Sequence, residues 1–420
     1  MKHIGFIFLI TALLYSCQSS DKAENSLTEN ELLTIGKIDS LRSEILDENR
    51  TFWIHVPDQA TGDIFAKTSY PVLFLLDGTE HFHAVTGMLK NLGNSGIVPR
   101  MVVVGIPNTD RTRDLTPSHV DVVFGDSVFA RTSGGAAEFL NFMEKELIPF
   151  VEDKYPVTSY RTFVGHSFGG LAALYALYTR PQLFSNYVAI DPSLWWDDWL
   201  LVRQADEHLG NPELQGKALY IGVANTMEEG MDIDRVLTDT ASSSDHIRSI
   251  LTFIQDTEAM ENLEWNMGWK YYPEDDHGSV PLITEYDAFR FLFPWYRLEG
   301  LQAFFVQEAE QDVEALLSTL NGHYTTVSEH FGYEVLPPEP DVNSLGYNFM
   351  NANKPEHAKA MFELNIRNYP ESANVYDSMG DFHLAQTDTL QAITSFSRAL
   401  ELGDNPFTKE KLAQLQAEKD

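Results

Sequence analysis

The chain has 420 residues, of which 43% are hydrophobic and 12% aromatic, and it carries a formal charge of −33. That length and apolar content exclude a disordered chain and exceed what one small core fills. The excess of 62 acidic over 29 basic residues repels polyanions, so neither a nucleic-acid partner nor charge-driven binding to anionic lipid is expected.

In chain order, residues 1–17 read MKHIGFIFLITALLYSC. Lys2 precedes an apolar run from Ile4 to Tyr15 that is too short to span a bilayer as a helix. Leu-Tyr-Ser-Cys at 14–17 resembles the lipobox of bacterial lipoproteins, which implies that Cys17 becomes the lipidated first residue of the mature chain. An ordinary signal peptide containing a cysteine is the alternative. The sole cysteine falls where the box requires it, which favours the lipoprotein. Residues 18–33 are polar and suit a flexible tether. The expectation is a folded part outside the cytoplasm, held at the cell envelope only through a lipid anchor. One cysteine also excludes an internal disulfide and any CxxC metal site.

Alternating stretches at 34–57 predict strands, most clearly from Thr51 to Val56. The runs YPVLFLLDG (70–78) and MVVVGI (101–106) are apolar on both faces, as buried parallel strands are. Residues 134–155 have helical spacing. RTFVGHS (161–167) is a further strand and 171–180 a helix closed by Pro181. NYVAIDPS (186–193), KALYIGVA (217–224) and WNMGWKYYP (265–273) continue the strands, with a polar helical stretch at about 232–261 and an apolar helix at 280–296. Strands alternating with helices predict a mostly parallel α/β sheet over 34–300.

Past residue 300 the pattern turns helical, with a connector at 301–338 and a break at PPEP (337–340). Gly346, Ala358 and Phe362 then recur as Gly380, Ala392 and Phe396, each 34 residues on. That is the tetratricopeptide period, so residues 339–418 are expected to form an all-α domain of two such repeats and a capping helix.

Gly165-His166-Ser167-Phe168-Gly169 fits G-x-S-x-G. A buried strand stands before it and a small-residue helix after it, as a nucleophile elbow requires. Ser167 is the expected nucleophile. A serine needs a base, and the order serine, acid, histidine selects His277, in the loop after the last strand. The acid is expected in the loop after 217–224, with Glu228 first and Glu229 or Asp232 as alternatives; a dyad without an acid is a further possibility. The backbone N–H groups of Phe168 and Thr79 are the expected oxyanion donors. His246, inside the polar helical stretch, is set aside as a base. His166 is read as packing. Glu80-His81-Phe82-His83 lacks HExxH and a third ligand at usable spacing, so no metal is expected.

These stretches, with RDLTP at 113–117, DPSLWW at 191–196 and DDHGSVP at 275–281, resemble the esterase D / enterochelin esterase family of α/β hydrolases over roughly residues 40–300. The resemblance implies an α/β-hydrolase fold, no cofactor, and a serine attacking small-molecule esters, with siderophore esters and acylated carbohydrates as candidate substrates. It places the nucleophile at Ser167, the base at His277 and the oxyanion donors at Thr79 and Phe168. Met227 stands where relatives often carry the acid. Arg111, with Arg113 and Asp114, and Trp195 with Trp196 are candidates for the pocket border; ion pairing and packing are their alternative roles. Two other functions stay open: an acyltransferase on the same site, and a tethered scaffold with a dead hydrolase domain. The repeats suit a peptide or self-association.

Overall fold

The computed structural model describes residues 33–57, 65–123, 125–306 and 312–417. The lipobox, Cys17 and nearly all of the tether lie outside the described residues. Among the described residues no helix is long and apolar enough to cross a membrane.

An eight-stranded sheet forms the centre, in the order β1-β2-β4-β3-β5-β6-β7-β8. Its strands are β1 (Lys37–Ser43), β2 (Glu48–His55), β3 (Tyr70–Leu75), β4 (Val102–Gly105), β5 (Val157–His166), β6 (Asn186–Ile190), β7 (Ala218–Ala224) and β8 (Asn266–Tyr272). β1 and β2 run antiparallel at one edge, and all pairs from β4 to β8 are parallel. The sequence explains this division. β3, β4 and β6 are buried at every residue, because helices cover both faces of a parallel sheet. β2 alternates buried and more exposed residues, as an outer antiparallel strand does.

Two apolar cores lie on the two faces. Phe74, Phe139, Phe163, Phe184 and Trp196 belong to one. Phe82, Val85, Val280 and Phe289 belong to the other, which covers the sheet with the helices Gly78–Asn94 and Val280–Leu292.

The C-terminal part is all-α. Helices Glu339–Asn351 and Pro355–Asn368 form one antiparallel pair, and Ala373–Ala385 and Thr389–Leu402 a second, followed by Pro406–Ala417. The 34-residue period has a packing cause. A Cβ on Gly346 would stand 2.5 Å from the Phe362 ring, and one on Gly380 2.5 Å from the Phe396 ring. Glycine in the first helix of each pair makes room for an aromatic from the second.

Helix Val313–Phe331, the connector, belongs to both parts. Its Leu316 and Leu320 are buried among the C-terminal helices. Its Val327 and Phe331 are buried in the core of the sheet. Phe331 meets Tyr160 of β5 edge-on at 4.7 Å, and the Tyr333 hydroxyl donates to Thr158 Oγ1 at 2.9 Å.

Candidate active site

The carboxyl ends of the parallel strands carry the chemistry-bearing side chains, as open α/β sheets require. Ser167 joins β5 to the helix Phe168–Thr179 with φ 59° and ψ −114°. A non-glycine residue there is strained and persists only where its surroundings fix it. The flanking glycines are needed. A Cβ on Gly165 would overlap the carbonyl group of Gly169, and one on Gly169 would lie 3.2 Å from Asp77 Oδ2. β6 fixes the residue from the other side: Ser167 N–H donates to the Ile190 carbonyl at 2.9 Å, and the Ser167 carbonyl accepts from Ser193 N–H at 3.1 Å. The Ser167 hydroxyl shares a hydrogen bond of 3.2 Å with the hydroxyl of buried Ser193.

His277 follows β8 in a turn that Asp275 and Asp276 build. Asp276 Oδ1 accepts the N–H groups of Gly278 and Ser279, each at 2.9 Å, and these bonds lower its carboxyl below the ordinary range. The Asp275 carbonyl accepts Asn225 N–H at 2.7 Å, stitching the turn to the end of β7. The turn sets His277 Nδ1 2.6 Å from Asp191 Oδ2.

That contact corrects the expected acid. Glu228, Glu229 and Asp232 are exposed, and none of them bonds to His277. Asp232 instead caps the short helix Ile233–Val236 by accepting from Arg235 N–H at 2.8 Å. Asp191 lies one strand earlier, directly after β6, with φ 40°. Its Oδ1 accepts Ala224 N–H at 2.9 Å, and its side chain is fully buried.

A second imidazole reaches the same oxygen. His246 Nε2 lies 2.8 Å from Asp191 Oδ2. An ionised carboxylate only accepts, so both ring nitrogens donate. Burial opposes the Asp191 charge, but the bonds from His246, His277 and Ala224 outweigh it and hold the carboxyl well below its usual range. His246 sits in the first turn of helix Asp245–Glu258. A left-handed turn at Asp197, Asp198 and Trp199 (φ 49°, 51° and 62°) anchors that helix. Trp199 Nε1 donates to Asp245 Oδ1 at 3.0 Å, and the Arg248 guanidinium covers the Trp199 ring at 5.5 Å. Sequence reasoning missed both Asp191 and His246. Asp191 had a signal, since it is the first residue past a fully apolar strand in DPSLWW. His246 had none, because it lies 55 residues from its partner on a polar helix.

The His166 ring lies 4.5 Å from His277 and 5.9 Å from His81. Its Nε2 is buried without a hydrogen-bond partner. Burial, followed by the neighbouring His277 and His81, pushes its pKa down to about 4 from 6.5. The unfolded chain therefore binds a proton between pH 6.5 and about 4 that the folded chain refuses. Its contribution to stability is intact above pH 6.5 and falls on acidification by about 1.4 kcal/mol per unit. Urea unfolding at pH 7 and 5 checks this: His166→Gln is expected to lose about 1–2 kcal/mol less than the wild type over that interval.

Of the two expected oxyanion donors, Phe168 opens the helix after Ser167, so its N–H has no intrahelical acceptor. In the turn after β3, Gly78 N–H donates to Ile106, and Glu80 and His81 N–H donate to the Asp77 carbonyl. The N–H groups of Asp77 and Thr79 take no part in these bonds.

Arg111 is a strap. Its Nε and Nη2 donate to the two oxygens of Asp77 at 2.7 and 3.0 Å, and Nη2 also to the His166 carbonyl at 2.9 Å. It thereby ties the turn after β3 to the end of β5. Burial raises the Asp77 carboxyl, but the Arg111 bonds and charge, with Asn108, bring it below the usual range. Arg113 and Asp114 form a network with Arg50 and Glu48, buried at Arg50 and Asp114; Arg50 Nη1 donates to Asp114 Oδ2 at 2.6 Å. Trp196 is also corrected as a pocket residue. It is 1% exposed, donates through Nε1 to Ser118 and packs edge-on against Phe168 at 5.1 Å. Trp195 is half-buried, with its ring 6.0 Å from that of Phe168.

Comparison with known proteins agrees with this geometry. Residues 43–277, more than half of the chain, match the family model described as "Putative esterase". An IroE-like serine hydrolase from Shewanella oneidensis is 30% identical with a TM-score of 0.63, and the match covers 79% of this chain and 99% of that one. A siderophore enterobactin esterase from Emericella nidulans is 35% identical over 176 residues, which is 38% of this chain and 57% of the relative. The ferri-bacillibactin esterase BesA from Bacillus subtilis is 30% identical over 192 residues, 42% of this chain and 66% of the relative. The chain thus spans less than two thirds of the length of these two curated relatives. A strained serine elbow on a parallel sheet, an Asp–His pair one strand away and a family match across all of these elements lead to one conclusion: the chain is a member of the esterase family of α/β hydrolases.

Proposed function

We propose that the chain is a carboxylic ester hydrolase that works through an acyl-enzyme on Ser167, with siderophore esters as its substrates. The observation that carries the reading is Ser167, strained at φ 59° beside β6, whose next residue is the aspartate that holds His277 at 2.6 Å. In the reaction the Ser167 hydroxyl rotates about Cα–Cβ, away from Ser193 and toward His277 Nε2. The imidazole takes the proton as oxygen adds to the ester carbonyl, a role that supplies about 10²–10⁴-fold. Asp191 keeps the Nδ1 proton in place and offsets the imidazolium charge. The oxyanion accepts from Phe168 and Thr79 N–H, each such donor contributing about 3–4 kcal/mol. His277 then protonates the leaving alcohol, and water repeats the sequence on the acyl-enzyme.

The relatives' names supply the substrate class, and an aromatic rim is in keeping with it. Phe129, 45% exposed, stacks on Phe168 at 6.2 Å, and Trp195 adjoins the same ring. Residues 1–33 are assigned to a lipoprotein signal and tether that hold the enzyme at the cell envelope through Cys17. The two C-terminal helix pairs are assigned to tetratricopeptide-like repeats that bind a peptide or a second copy of the chain. A library of enterobactin, triacetylfusarinine C, acetylated oligosaccharides and short p-nitrophenyl esters tests the substrate class. A siderophore ester is expected to exceed every acylated sugar at least 100-fold in kcat/KM, and the reverse ranking refutes the assignment.

A further inference from the structure

A serine–histidine–aspartate relay needs one imidazole on its acid. Here Asp191 Oδ2 receives two, His277 Nδ1 at 2.6 Å and His246 Nε2 at 2.8 Å, with the ring centroids 5.1 Å apart and the planes perpendicular. The three atoms lie within 4.8 Å of one another, and among the described residues no other set of three His, Cys, Asp or Glu side chains converges in this way. Asp191 is fully buried at the back of the cluster, while the His246 and His277 side chains are 19% and 42% exposed. The cluster therefore opens toward solvent on its histidine side.

We propose that Asp191, His246 and His277 form a binding site for a divalent cation of the zinc class, and that its occupation switches the esterase off. Two imidazoles and a carboxylate are a donor set that zinc accepts at about 2.0–2.2 Å, with a fourth position open. Ligand atoms on a tetrahedral ion of that size stand about 3.3 Å apart, so from 2.8 and 2.6 Å the His246 and His277 nitrogens must retreat from Asp191 by roughly 0.5 and 0.7 Å. His277 on its turn and His246 in a first helical turn are placed for so small a movement. The proton balance follows from the tautomers. Each neutral ring carries one proton, now on the nitrogen facing Asp191. Metal binding requires that nitrogen bare, so the proton moves through water to the other nitrogen of the same ring. For His277 the other nitrogen is Nε2, the atom that must accept the Ser167 proton. A metal-bound His277 cannot serve as the base.

The test uses the full chain without a histidine tag. Cobalt(II), a spectroscopic stand-in for zinc, is titrated into Ser167→Ala protein, whose cluster is unaltered. A visible absorption band that saturates at one equivalent is expected, and its loss in the His246→Gln/Ser167→Ala double variant. This readout is independent of the esterase reading. Separately, zinc is expected to inhibit p-nitrophenyl ester turnover, with reversal by chelator. In His246→Gln the half-inhibitory concentration, judged against that variant's own zinc-free rate, is expected to rise at least 30-fold. Melting temperatures establish that the variants fold. Absence of the cobalt band, or a shift of less than threefold in His246→Gln, overturns the site. Cobalt binding with undiminished ester turnover overturns the switch.

Discussion

Ser167→Ala is expected to lose about 10⁴–10⁶-fold in kcat/KM toward any ester the protein cleaves, with the fold unchanged. The hydroxyl is the only reactive group the elbow presents, and the strain at φ 59° is imposed by Gly165, Gly169 and the bonds to β6 rather than by the side chain. Alanine adopts the same backbone and leaves the oxyanion donors in place, so only the residual rate from those donors and from binding survives. A fluorophosphonate probe gives a second readout: wild type is expected to label at one site and Ser167→Ala not at all. His277→Ala should fall by a similar factor, and the double variant little further, because nucleophile and base act as a unit. Unchanged labelling of Ser167→Ala removes the nucleophile assignment.

Asp191→Asn is the more discriminating variant. It is expected to lower kcat by about 10³–10⁴-fold with little change in KM, since an amide turned toward His277 favours the wrong tautomer while leaving the pocket intact. The Oδ1 acceptor for Ala224 N–H is retained by asparagine, which protects the junction of β6 and β7. Glu228→Gln and Glu229→Gln are expected to stay within twofold of wild type, because both residues are exposed and the ring nitrogen is held by Asp191. Steady-state kinetics on the three variants decides the matter. A hundredfold loss in Glu228→Gln, with Asp191→Asn near wild type, restores the loop after β7 as the source of the acid.

The contrast between these two carboxylates measures what could be read from residues alone. Strands β3 to β7 were legible because a parallel strand covered on both faces must be apolar throughout, and Ser167 was legible because its glycines leave a local trace. His277 was reachable from chain order. The acid was not, because order alone places it after β7, whereas the structure takes it from the end of β6. What selects Asp191 is burial, and burial comes from β6 lying between β5 and β7. No local pattern records that. His246 is a stronger case: it reaches Asp191 from the start of a helix that Trp199 fastens through Asp245. Trp195 and Trp196 adjoin in sequence yet one is half-buried and the other sealed, a difference their apolar pattern does not carry.

The connector helix bears on how such a chain can be divided or inherited. Composition changes near residue 300, but Val327 and Phe331 plug the core of the sheet from beyond that point. A cut at 300 removes the plug and leaves an oily socket beneath Tyr160. The natural seam falls later still: Gly332, with a left-handed φ of 75°, ends the helix, but Tyr333 and Val335 beyond it still pack against the core of the sheet. Swapping the C-terminal helix pairs for another module, by recombination or by engineering, preserves the core of the sheet only if the join lies beyond Val335. The sheet and its first C-terminal helix are one heritable unit, and the helix pairs are the cargo fastened to it.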